Sequence, residues 1–396
     1  MAKPLDNIVI LDLSRVLAGP YCTMLLKDLG AEVIKVELPE IGDDSRQFGP
    51  FKNDTSLYFI SINREKKSIS LNLKTKKGKE ILFNLIKKSD VLVENFRPGT
   101  MKKLGIDWEV LKQVNPKLIY ASASGYGQDG PFAFKPSYDI LAQAMGGIMS
   151  ITGWPDTKPT RVGMSIGDIT ASLFTAIGIN AALYQRTITG EGQKIDVSML
   201  DCQIAILENA LLRYQVDGVP PKPLGNRHPT ITPFQAFKAK DDYFVIGIGN
   251  DNLWIKMCNI IGKPELIDDP RFYSNKKRTD NIESLIPLLD DVFIEKTAEE
   301  WFQIFENAGI PYSPINTIDK VMENPQLKAR NMFVEVSSEK TGKFIIAGNP
   351  IKMSTIPDKY YRDPAPEIGQ NNYEIYSQWL GLSEEEIQKL KDEKII

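Results

Sequence analysis

Short apolar runs rich in β-branched residues alternate with amphipathic stretches through the first third of the chain. That alternation is the pattern of parallel strands joined by helical crossovers. Ile8–Leu13 predicts a strand and Gly19–Leu29 the helix that follows it. Glu32–Glu37 and Ser68–Leu73 predict further strands, and Thr75–Lys88 carries apolar Ile81, Leu82, Leu85 and Ile86 at helical spacing. Asp90–Glu94 and Leu118–Ser122 complete the series. An α/β architecture with a doubly wound sheet fits this order, and such sheets bind ligands beyond the carboxyl ends of their strands. The loops Ser14–Ala18, Leu38–Gly42 and Asn95–Gly99 follow those ends.

Gly125-Tyr-Gly-Gln-Asp-Gly130 has the spacing of a dinucleotide fingerprint and follows a predicted strand. The fingerprint also needs a helix that starts on its glycines, so that N–H groups face a pyrophosphate. Pro131 and Pro136 interrupt the next stretch, and a glycine-rich turn is predicted instead. Residues 1–216 are read as the first part of a large domain. The Pro-rich stretch 217–225 is read as a linker and 226–324 as a smaller α/β domain. That domain is expected to hold a hairpin at Phe234–Ile248, a helix at Asn252–Ile261 and another behind the capping-box sequence Thr297–Glu300. Residues 325–396 have extended character near Met332–Ile346 and end in a charged helix opened by Ser383–Glu386.

Composition narrows the class. Apolar residues make up 42% and charged residues 25%, ordinary values for a globular protein whose length suits two domains. The net charge of −3 argues against nucleic acid as the main partner. Between Arg64 and Lys79 seven basic residues face one acidic residue, which suits either a phosphorylated ligand or a solvated surface. Cys22, Cys202 and Cys258 are too scattered for a disulfide framework or a metal site. They point to a reducing compartment, and Met1–Asp6 lacks the basic start and apolar core of a secretory leader, so a cytoplasmic location is predicted. The longest uncharged run, Ile169–Gln185, has seventeen residues and falls short of the roughly 18–20 of a spanning helix. It is expected to be a buried core helix, with no membrane partner.

Asp168 stands directly ahead of that run. A carboxylate at a helix N-terminus meets unpaired N–H groups and the positive end of the dipole, so it is predicted to stay ionised at neutral pH and to serve as an acyl-accepting nucleophile. The competing reading is a plain N-cap, a position for which Asp is among the preferred residues.

The text around it decides between these readings. Leu11-Asp-Leu-Ser-Arg-Val-Leu-Ala-Gly-Pro20, Asp28-Leu-Gly-Ala-Glu-Val-Ile-Lys-Val-Glu37, Glu94-Asn-Phe-Arg-Pro-Gly99 and Gly125-Tyr-Gly-Gln-Asp-Gly-Pro131 are followed by Gly190–Ser198, Asn226–Pro229, Gly249–Asp251, Asp269–Phe272 and Ala308–Pro311. In this order and spacing the chain resembles the class III coenzyme A transferases, the family of carnitine, bile-acid and formyl-CoA transferases, over nearly its whole length. The resemblance implies a Rossmann-like large domain to which the C-terminal segment returns, a smaller α/β domain and an interlocked homodimer. It makes Asp168 the nucleophile, acyl-CoA and small carboxylic acids the partners, coenzyme A a substrate, and no cofactor tightly bound.

It also implies CoA contacts at Val16, Leu17, Ala18, Leu38, Leu71, Asn72, Leu73, Lys74, Asn95, Phe96, Arg97, Lys103, Lys135, Pro136, Ser137 and Tyr138, with Gly247 and Gly249 on a substrate loop. Leu38 stands where some relatives carry Arg, and Lys103 keeps a charge without the guanidinium fork. Family members often use short dicarboxylates, for which Arg161 and Arg227 are candidate cations. A racemase of the same fold is the enzymatic alternative, and it needs a His opposite the Asp. The single histidine, His228, lies elsewhere, and Tyr138 occupies the matching position. The non-enzymatic alternative is a CoA-binding protein without chemistry.

Overall fold

The computed structural model describes residues 3–396 and divides into two compact units. Residues up to Ile148, with Val162–Leu212 and Pro325–Ile396, form the first; Met149–Arg161 and Arg213–Asn324 form the second. The predicted linker 217–225 therefore lies inside the second unit. Met149–Arg161 joins it there because Gly225 N–H donates to Gly153 O at 2.8 Å and the Trp154 ring packs where a Gly225 side chain would stand.

The first unit is built on six parallel strands: β1 (Val9–Asp12), β2 (Glu32–Glu37), β3 (Lys67–Ser70), β4 (Val91–Glu94), β5 (Ile119–Ser124) and β6 (Lys194–Ser198). They lie in the order β3-β2-β1-β4-β5-β6. Successive side chains of a strand point to opposite faces, and both faces are covered. Leu11, Ile34 and Leu92 pack with Ile81, Leu82 and Leu85 of helix α3 (Lys76–Ile86). Ile10, Val33, Val91 and Val93 pack with Cys22 and Leu26 of α1 (Ala18–Asp28) and Ala176, Ile179 and Leu183 of a long helix over Ile166–Thr189. The strand order reverses between β1 and β4, and the crevice above that point is where such sheets take ligands.

Three expectations are corrected. The sheet gains β6, since Lys194–Ser198 pairs with Tyr120–Ser124 of β5. Strand β3 stops at Ser70 because the C-terminal segment takes over its partners. The Asn371 and Asn372 side chains accept the Ser68 and Ser70 N–H groups at 3.0 and 2.9 Å, Tyr376 donates to Ser70 O at 2.7 Å, and Asn72 N–H goes to Ile395 O. The long helix is not buried all round. Its inner face meets the sheet, while Leu173, Phe174, Ile177, Tyr184 and Ile188 are exposed. It is also longer than the uncharged run and, among the described helices, the one long and apolar enough to cross a membrane, although half of its most apolar window is buried.

The second unit holds an antiparallel sheet of β7 (Phe234–Lys238), β8 (Tyr243–Gly247) and β9 (Tyr312–Pro314), with β8 in the centre. Phe237, Phe244, Phe293, Trp301 and Phe305 form its aromatic core, in which Phe293 meets Trp301 edge-on at 5.3 Å. The Thr297–Glu300 capping box opens a helix over Ala298–Ala308.

The first unit carries charges inside it. Asp12 accepts Lys66 Nζ at 3.0 Å, Thr23 Oγ1 at 2.6 Å, Ser14 N–H at 3.0 Å and the Ser14 hydroxyl, and its strand neighbour Lys35 lies 2.7 Å from Asp43. Asp12, Lys35, Asp43 and Lys66 are all buried. Removing one member of a buried pair strands its partner's charge at a cost of about 3–5 kcal/mol. Asp12→Ala is accordingly expected to shift the first unit's urea transition by that amount, while leaving fluorescence from the second unit's Trp301 core unchanged below it.

Candidate active site

Asp168 lies in the first turn of the helix Ile166–Thr189, hereafter α5, with Ser165 as N-cap. Helix α4 (Asp139–Met145) positions the approach to it: Asp139 Oδ1 accepts Gly167 N–H at 2.8 Å, Asp139 Oδ2 accepts Gln143 Nε2 at 2.8 Å, and Gln143 Oε1 accepts Val162 N–H at 2.9 Å. One turn along α5, the Ser172 hydroxyl donates to Asp168 O at 2.7 Å and lies 2.6 Å from Ala18 O, tying the first turn of α5 to the first turn of α1.

The loops at the carboxyl ends of β1 and β4 meet here. Arg15 N–H donates to Asn95 Oδ1 at 2.8 Å, and Asn95 Nδ2 donates to Arg15 O at 2.7 Å. Glu94 Oε2 accepts Phe96 N–H at 2.8 Å, and the Arg15 guanidinium lies over the Phe96 ring at 5.1 Å. Only glycine fits at position 19, where a Cβ would fall 2.1 Å from Ser14 Cβ.

Two cavities share Arg15, Phe96 and Thr100 as a common wall. The larger, about 690 Å³, is lined by Leu38, Leu71, Asn72, Leu73, Lys74, Phe96 and Lys103, together with Lys35 and Lys79. The smaller, about 460 Å³, contains Val16, Asn95, Phe96, Arg97, Lys135, Ser137, Tyr138 and Asp168. The first is of the size expected for a small-molecule site. Leu17 and Ala18 start α1 just behind Val16, and Pro136 lies between Lys135 and Ser137; none of these three lines either cavity. Gly247 and Gly249 belong to the second unit. Gly247 ends β8, with the Phe234 ring where its side chain would project, and Gly249 follows. Arg161 and Arg227 lie in that unit too. His228 also does, and its Nδ1 accepts the N–H groups of Thr230 and Ile231 at 3.2 and 3.1 Å.

The expectation that Asp168 stays fully ionised is corrected. Burial pushes its carboxyl up to about 7, and the neighbouring Asp139 carboxylate adds repulsion; together they outweigh the helix N-terminus. Two residues here are not among the contacts the resemblance implies. Tyr58, on α2 (Leu57–Asn63), has its hydroxyl pushed up to about 12 by burial, then by Asp168 and Asp43. Arg15 lies inside the motif Leu11–Pro20 and stands where the two cavities join.

The site thus joins a carboxyl in a partly dehydrated pocket to a lysine-lined cavity at the switch point of a doubly wound sheet, a place where such sheets take ligands. Comparison with known proteins gives its class. The profile of CoA-transferase family III matches residues 5–372. The chain is 45% identical to an acetyl-CoA:oxalate CoA-transferase of Acetobacter aceti, covering 93% of each. It is 41% identical to a succinyl-CoA:glutarate CoA-transferase of Mus musculus, over 98% of this chain and 89% of that one. A crystal structure of a CAIB/BAIF family protein from Brucella suis superposes with a TM-score of 0.82 at 37% identity, covering 96% of this chain and all of the other. The chain belongs to CoA-transferase family III and is by class a CoA-transferase.

A carboxyl that titrates at about 7 is mostly ionised only above that pH. Activity limited by Asp168 is therefore expected to rise tenfold per pH unit below about 7 and to level off above it, read as kcat/KM against pH. Because the folded carboxyl holds its proton to higher pH than the unfolded one, Asp168 costs stability as pH rises from about 4 to 7. Asp168→Asn is expected to raise Tm at pH 8, by on the order of 2 °C, and to leave it unchanged near pH 4.

Proposed function

We propose that this protein moves coenzyme A from an acyl-CoA donor to a short dicarboxylic acid, with Asp168 as the covalent acyl carrier. The observation that carries the reading is Asp168 in a cavity that shares the wall Arg15–Phe96–Thr100 with a second, lysine-lined cavity of about 690 Å³. Lys74, Lys79 and Lys103 suit phosphates in the larger cavity, and the Phe96 face suits a ring or the pantetheine arm.

A thioester is already activated, so the chemistry asks for a carboxylate and for water to be kept away. The Asp168 carboxylate attacks the thioester carbonyl; the C–S bond breaks, and a mixed anhydride and the CoA thiolate result. The thiolate attacks the aspartyl carbonyl, the donor acid leaves as its carboxylate, and an aspartyl-CoA thioester remains. The acceptor carboxylate then attacks that thioester and releases the thiolate. The thiolate takes the acceptor acyl group from the new anhydride, regenerating Asp168, so the cycle consumes no net proton. Loss of the one nucleophile removes the reaction, whereas a racemase needs a second base, and no histidine stands in this unit.

The dicarboxylate reading draws on the relatives named for oxalate and glutarate. Arg15, Arg97 and Lys135 line the Asp168 cavity and are the cations available for a second carboxylate. A homodimer, interlocked as the family resemblance implies, would cover the apolar outer face of α5, where Ile177 is 63% exposed. Three buried, unpaired cysteines fit a reducing, cytoplasmic setting.

Mass spectrometry of acyl exchange tests the chemistry: succinyl-CoA or acetyl-CoA with a panel of mono- and dicarboxylic acids. New acyl-CoA is expected from the wild type with dicarboxylates and is expected to fall at least about 1,000-fold in Asp168→Ala. Exchange that survives in that variant would remove Asp168 from its role. Light scattering tests assembly, with a dimer expected for the wild type and a monomer for Ile177→Asp.

A further inference from the structure

The loop from β1 to α1 has its backbone held group by group. Ser14 N–H goes to Asp12, Ser14 O accepts Lys35 Nζ at 2.9 Å, and both backbone groups of Arg15 pair with Asn95. Val16 N–H goes to Asp43 Oδ1 at 3.1 Å. Val16 itself sits at φ 63°, in the left-handed region. For a β-branched residue that is an outlier, which persists only where the surroundings over-determine it.

Asp43 is placed to do so. It follows β2 on a short turn and is buried; its Oδ1 also accepts Ser45 N–H at 2.8 Å and the Ser45 hydroxyl at 2.7 Å, and its Oδ2 lies 2.7 Å from Lys35 Nζ. Its own N–H is fixed by Glu37 Oε2 at 3.0 Å. Val16 in turn lines the cavity that contains Asp168. We infer that Asp43, clamped by Lys35, is a positioning residue for acyl transfer: its carboxylate holds Val16 in the left-handed conformation that sets the opening turn of α1 beside Asp168. The inference rests on the reading of Asp168 as acyl carrier.

The role separates from plain structural support through glycine. Gly reaches positive φ without the penalty of a side chain, so Val16→Gly removes the need for a brace. Asp43→Ala is expected to lower kcat for CoA transfer by about 10–100-fold, as a misplaced loop does, with KM for acyl-CoA changed less than about threefold. Adding Val16→Gly is expected to restore roughly tenfold of that loss, which no drop in global stability would do. Asp43→Asn keeps an acceptor for the Val16 amide but loses the negative charge that faces Lys35; it is expected to fall between wild type and Asp43→Ala and serves if Asp43→Ala does not fold. Amide hydrogen exchange across residues 13–17 reads the brace without substrate, and exchange at least about tenfold faster is expected in the Asp43 variants. Unchanged exchange there, or a kcat loss that Val16→Gly does not relieve, overturns the positioning role. Absence of CoA transfer by the wild type, with exchange accelerated as expected, would instead overturn the reading of Asp168 and leave the brace standing.

Discussion

Four buried charges, Asp12, Lys35, Asp43 and Lys66, set the carboxyl ends of β1 and β2, and the ligand-facing loops hang from them. Burial alone would lift the Asp43 carboxyl, but Lys35 and the Ser45 donors hold it down to about 2. Asp12 is likewise held below the usual carboxylate range, against burial, by Lys66 and Lys35. Lys66 is drawn down to about 8 by burial and held from falling further by Asp12. Such a lattice adds little net stability over an apolar core of the same volume. What it fixes is direction, because each charge accepts only a few geometries, and these carry Ser14, Val16 and the start of α1 to their places.

The same sheet end holds a carboxylate treated in the opposite way. Asp168 has Asp139 for a neighbour where Asp12 has two lysines, and its proton stays on to about 7. Desolvation that raises a carboxyl in this way also keeps water away from it. Asp139 has two jobs there: it holds the Gly167 amide and it repels the Asp168 charge.

Much of the first unit was legible in the sequence, because strands such as β1 and β4 are short apolar runs and α3 is a periodic one. Glu32–Glu37 reads directly as β2. Strand β6 was not legible, since Lys194 and Asp196 interrupt its apolar run and only pairing with β5 makes it a strand. The early end of β3 was hidden for a related reason: its replacement partners lie some three hundred residues away in sequence. In the site, Asp168 and the loops could be located, but its protonation could not, because helix position is local information and desolvation is not. Arg15 lies within a family motif, but its place on both cavity walls shows only in the fold, as does the action of the Asp168 charge on the Tyr58 hydroxyl.

The first unit is discontinuous, and its last pieces, Ile375, Tyr376, Ile387 and Leu390, pack on the face of the sheet that also takes α3. On a ribosome the second unit is complete in sequence while that face still lacks its cover. At about 5–20 residues per second, the part of that face left open beside α3 waits on the order of tens of seconds for those residues to emerge. The order of synthesis therefore completes the second unit in sequence before the first.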